Sequence, residues 1–166
     1  MSFRPRRAVL AVATAASFFL AAVPAQADPD PDLSAWPGLA LTYTTTAQYA
    51  YEPFAEAGGY LPTDDCVASA EGGAGYHYVN AQYVGSLDPA TPAALLYAGP
   101  GTGSARRLVA VEWIVKDTGQ ATPTLFGQTF QRDQRPGYFT LHAWIYQPNP
   151  EGLFAPMNPD VTCPTA

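Results

Sequence analysis

The stretch "RRLVAVEWIV", residues 106–115, decides the fold. Its β-branched and aromatic content marks a strand, and its side chains alternate between two faces. Val109, Val111, Trp113 and Val115 share one face, and Leu108, Ala110, Glu112 and Ile114 share the other. Both faces are apolar, so the strand is expected inside a covered sheet, with Glu112 a lone carboxylate in that company. A buried ionisable group without a partner is costly, and Glu112 therefore predicts one.

Working outward, "GYFTLHAWIY" (137–146) reads as a second long strand. Phe139, Leu141, Ala143 and Ile145 form its apolar face; Tyr138, Thr140, His142, Trp144 and Tyr146 form the other. "AALLYAG" (93–99) precedes the first strand across the glycine-bearing "PGTGSA", which suits a hairpin, and "YHYVN" (76–80) is a shorter fourth. "PTLFGQTF" (123–130) is expected as a short added strand or an ordered loop.

Before the strands, "LALTYTTTAQYAYEPFAEAGGY" (39–60) places Tyr43, Ala47, Ala50, Phe54 and Ala57 on one helical stripe that Gly58-Gly59 can end. Pro53 lacks an N–H and predicts a kink, or a break with Pro53 opening a second turn. "LPTDDC" (61–66) reads as a turn with Asp64 and Asp65 at a solvated corner. Helices and strands do not alternate, so the fold class is α+β. The expected architecture is one antiparallel sheet with an N-terminal helix on a face and an ordered C-terminal coil.

The chain opens "MSFRPRRAVLAVATAASFFLAAVPAQA", with three arginines, a 16-residue apolar run from Ala8 to Val23, and Ala25-Gln26-Ala27. This pattern predicts a secretory signal peptide over 1–27 and a secreted, extracellular product. The run is shorter than the roughly 20 strongly apolar residues of a spanning helix. No later stretch is apolar enough to span a membrane. The acidic, proline-spaced "DPDPDLSAWPG" (28–38) reads as a linker, leaving 39–166 as a single domain. Loss of three arginines takes the formal charge from −6 to −9, which disfavours nucleic acid as a partner.

Cys66 and Cys163 are the only cysteines. Neither has a CxxC or CxxH neighbour, and in an exported chain they are expected to pair. The bond would fasten the C-terminal coil to the front of the domain. Asn149-Pro150 and Asn158-Pro159 suit turns in that coil, leaving Leu153, Phe154 and Val161 to bury apolar area.

His77 and His142 are the only histidines. With Glu112 they form two imidazoles and a carboxylate on three strands, the ligand set of a mononuclear divalent transition-metal site with open positions. The other reading is a hydrogen-bonded core cluster. Glycines around His77, in "EGGAGYHYVN" (71–80), let the backbone pass close to something. No GxSxG, phosphate loop, EF-hand or HExxH occurs. Three functions are compatible with these residues: a non-enzymatic extracellular domain binding a small ligand or metal, a structural or interaction module of the cell envelope, and a metal-dependent or acid–base enzyme using the trio.

The succession of "GAGYHYVN", "LDPATPAALLY", "LVAVEWIV", "PTLFGQTF" and "LHAWIYQPNPEGLFAPMNPDVTC" resembles a family of exported proteins frequent in actinobacteria. The likeness covers most of the chain beyond "AEAGGY" and implies no particular activity. His77, Glu112, His142, Trp144, Asn149, Pro150, Gly152, Phe154, Asn158, Pro159 and Cys163 match its motifs, whereas Pro53 interrupts an otherwise continuous alanine-rich segment.

Overall fold

The computed structural model describes residues 32–100, 106–133 and 135–164. The expected signal peptide, the first part of the linker and residues 101–105 of the hairpin loop lie outside them. Among the described residues no helix is long and apolar enough to cross a membrane.

Six strands form the main sheet: β1 (Leu61–Ser69), β2 (Gly72–Val79), β3 (Ala94–Ala98), β4 (Arg107–Lys116), β7 (Gln131–Arg132) and β8 (Tyr138–Ala143). Their order is β1-β2-β3-β4-β8-β7, and every neighbouring pair is antiparallel. β5 (Thr124–Leu125) and β6 (Gln128–Thr129) make a separate small hairpin from "PTLFGQTF". Phe126 and Gly127, at φ 54° and 70°, make its turn. The class is α+β, as the sequence implies.

Three local readings change. The segment "LPTDDC" is the first two thirds of β1, held by antiparallel pairing to β2. The linker stops short of Gly38: Leu33–Ala35 is a 3-10 turn, and α1 (Pro37–Thr46) begins with proline at its first turn, where no N–H is needed. The helical segment then breaks, running through a 3-10 turn (Ala47–Ala50) into α2 (Glu52–Ala57), whose first turn contains Pro53. This is the expected break, but the apolar stripe is not the buried one. Tyr43 and Phe54 are exposed, while Leu39, Thr42, Thr46, Glu52 and Ala55 face the sheet. The threonines can be buried because their hydroxyls find acceptors. Thr42 Oγ1 donates to the Gly38 and Pro89 carbonyls at 3.1 and 2.7 Å, and Thr46 Oγ1 to the Thr42 carbonyl at 2.7 Å.

Two cores result, one on each sheet face. The helices cover the first, where Leu39, Tyr60, Leu95, Val111, Trp113 and Leu141 pack. Alanines 74, 94 and 110, with Leu96, Ile114 and Trp144, belong to the second. At the rim of the helix layer, Glu52 accepts a hydrogen bond from Tyr78, and the Arg106 guanidinium donates to the same hydroxyl at 2.9 Å while lying over the Tyr76 ring. That buried charge pair joins α2 to β2 and the start of β4.

Alternation along 106–115 breaks at one place. Leu96 pairs with Ala110 but Tyr97 pairs with Leu108, so Val109 is an extra residue in β4. Such a bulge shifts the side-chain phase by one. Leu108 therefore joins Val111 and Trp113 in the helix-side core, and Val109 joins Ala110 in the other. The later strand also ends sooner than expected, at Ala143. Beyond it Trp144 N–H donates to the Leu153 carbonyl. Tyr146 crosses to the helix side, where it stacks on Tyr43 and shares a 2.7 Å hydrogen bond with Thr46.

Six strands spaced by about 4.8 Å would hold β1 and β7 about 24 Å apart in a flat sheet. Both nevertheless line a single cavity of about 250 Å³ on the second face. The sheet is thus curled into a trough, with that face inside. The bulge at Val109 and two irregularities in the β1–β2 pairing help it bend.

The C-terminal coil closes one wall of the trough. Asn149 Nδ2 donates to the Met157 carbonyl, Asn158 Nδ2 to the Pro148 carbonyl, and both side-chain oxygens accept from the backbone two residues on. Asn158 bridges Gly73, and Val161 is buried. The close approach foretold by the glycines is this coil: a Cβ on Gly73 would meet the Val161 carbonyl oxygen at 2.6 Å, and one on Gly72 the Asn158 carbonyl oxygen at 2.4 Å. Cys66 and Cys163 are bonded, 97 residues apart in sequence.

Candidate metal centre

Each member of the trio reaches the trough from its own strand. Glu112 and His142 stand directly opposite each other in the β4–β8 register. His77 lies two strands away, opposite Leu96 on β3. The β3 residue facing Glu112 is Ala94, whose methyl leaves room above the strand for His77 to reach across. His77 Nε2 lies 3.4 Å from Glu112 Oε2, and His142 Nε2 lies 3.6 Å from Glu112 Oε1. One potential ligand atom from each residue falls within 4.8 Å of the other two. All three side chains are buried.

Burial sets their charge. It is the main force pushing the Glu112 carboxyl up to about 8, with the Asp133 carboxylate adding to it. Burial also pulls His77 down to about 4, helped by the Arg135 charge, and His142 down to about 3, helped by His77. Both imidazoles are therefore neutral at pH 7, as ligation requires. Among the described residues Glu112 Oε2 finds no hydrogen-bond partner despite its depth, His77 Nε2 standing 3.4 Å away.

The trio forms part of the floor of the 250 Å³ cavity. Val67, Ala74, Pro156 and Met157 supply apolar wall, while Asp133 and Arg135 stand on the polar side. Arg135 pairs with Asp133 at 3.5 Å, and Arg132 with Asp117 at 2.7 Å. The three residues singled out in the sequence do meet. The lining from the coil, from β7 and from Asp133 and Arg135 was not visible in the sequence, because it depends on the curl of the sheet. No family model, curated protein or solved structure matches the chain.

Proposed function

We propose that this is an exported protein that binds a divalent transition metal of the zinc, copper or iron kind through His77, Glu112 and His142, leaving coordination positions open to the cavity. One observation carries the reading: three buried ligand groups meet at separations suited to a central ion and poorly suited to each other. Nitrogen and oxygen donors about 2.0–2.2 Å from a tetrahedral ion lie roughly 3.3–3.6 Å apart. The 3.4 and 3.6 Å separations, one to each oxygen of Glu112, fall in or close to that range, and one ligand atom from each residue lies within 4.8 Å of the other two. A core cluster built for hydrogen bonding would draw its atoms to about 2.7–3.0 Å and would not strand Glu112 Oε2. The ion's charge would also offset the burial that keeps Glu112 protonated.

The rest of the chain is consistent with this role. A basic, apolar N-terminus ending in Ala-Gln-Ala and the 66–163 disulfide suit export, and the net charge, −9 once the three N-terminal arginines are lost, attracts cations.

The test is elemental analysis of untagged protein, followed by thermal unfolding with added zinc, copper or iron(II). Metal should raise the melting temperature at pH 7.5, less at pH 5, and not at all in His77→Ala or His142→Ala. At a hundredfold excess over the dissociation constant the gain is about 2.7 kcal/mol. If no metal co-purifies and none shifts the wild-type melting, the trio is a core cluster only.

A further inference from the structure

We infer that the open positions of this centre take a small organic monocarboxylate, one oxygen on the metal, the other toward the Arg135 guanidinium, and the apolar tail against Val67, Ala74, Pro156 and Met157. This rests on the metal reading above and adds the ligand class. Local charge is the first argument. A divalent ion with the Glu112 carboxylate leaves one positive charge on the floor. Arg135 and Asp133, which both line the cavity, cancel each other, and Arg132 is balanced by Asp117, which lies outside the lining. One unbalanced positive charge in a cavity of low polarity calls for one negative charge, which suits a monoanion and disfavours dianions.

Arg135 is the second argument. It lines the same cavity as the trio, and its own hold on Asp133 is a long 3.5 Å contact. A planar guanidinium offers parallel N–H groups to a carboxylate at better geometry than that contact uses. Shape is the third. At about 250 Å³ the cavity falls just below the range of drug-sized pockets, and its apolar wall comes from β1, β2 and the coil. A lone inorganic anion would leave that wall unfilled.

The experiment uses the full chain loaded with cobalt(II), whose visible absorption reports both loading and a change of ligand. Azide, acetate and hexanoate are titrated separately. A buried methylene is worth about fourfold in affinity, so hexanoate should bind at least tenfold tighter than acetate. Arg135→Gln, a change at an exposed side chain, should weaken both carboxylates about tenfold and azide less. Hexanoate should not bind the chelator-stripped protein. Equal affinity for acetate and hexanoate, an unchanged hexanoate affinity in Arg135→Gln, or equal binding to stripped protein would each overturn the inference. Absence of the cobalt spectrum would instead remove the metal site itself, and the carboxylate with it.

Discussion

At the scale of single residues, the trio holds opposing proton equilibria in one buried place. Glu112 is pushed up to about 8 from an ordinary 4.5, so its contribution to stability is complete below pH 4.5 and is lost as pH rises through 8. His77 and His142 are pulled below 6.5, so theirs is complete above 6.5 and is lost as pH falls toward 4 and 3. Between 4.5 and 6.5 two rising terms outweigh one falling term, and above 6.5 only the falling term remains. Protein stripped of metal should therefore be most stable near pH 6.5 and weaken toward pH 8. In Glu112→Gln that alkaline decline should flatten. Wild type with bound metal should show no such decline, because ligation needs the carboxylate form. Chemical denaturation from pH 5 to 8.5 checks all three curves, and a stripped wild type that keeps gaining stability to pH 8 contradicts the assignment. The identities of these residues were legible in the sequence, since it holds two histidines and one strand-buried glutamate, but their convergence was not, because it depends on strand order and register. The parts played by Arg135 and Met157 were not, because neither belongs to a strand whose phase could be read.

At the scale of elements, the sequence reads well where side-chain period governs and poorly where one residue shifts the phase. The 137–146 strand keeps its predicted faces through Trp144, and His142 meets Glu112 as parity requires. The 106–115 strand keeps its faces from Ala110 onward, whereas Leu108 and Val109 exchange sides at a bulge that no local pattern announces. In the helices the misleading signal was chemical. Threonine counts as polar in a stripe, yet α1 buries Thr42 and Thr46 by returning their hydroxyls to backbone carbonyls. "LPTDDC" has the composition of a turn and is a strand, because β2 offers it a ladder. The glycines of β2 are positions of close approach, as their clustering in the sequence implies. Gly73→Ala should therefore lift the coil from the sheet and cost about 1–3 kcal/mol, the usual penalty for overpacking. Limited proteolysis within residues 147–162 should accelerate in that variant. Unchanged stability and cleavage would mean that the coil does not depend on this contact.

At the scale of the whole molecule, the sheet needs its curl to make a cavity, and the cavity needs the far end of the chain for a wall. Cys66–Cys163 ties that end to the edge strand β1. Closing a loop of this length in the unfolded chain is worth about 4–5 kcal/mol by chain entropy. Paired Cys66→Ser and Cys163→Ser replacements should lower stability by up to that amount, read by urea denaturation. Non-reducing peptide mapping of the wild type should recover the two cysteine peptides as one species, and two free thiols would remove the bond from the account.

The same bond bears on timing. Residues 156 and 157, part of the cavity wall, are made after His142, whose addition completes the trio. An ion can therefore meet an open trough first and be enclosed afterwards, when the tail docks and the thiols oxidise. Capture and retention then become separate steps under separate control. In the oxidised protein, loss of metal to a chelator should be limited by local opening of the coil and be slow. With the disulfide reduced, release should quicken severalfold while the affinity of the three ligands changes little. A stopped-flow chelator chase on oxidised and reduced samples measures that difference, and equal release rates would show that the tail has no part in holding the ion.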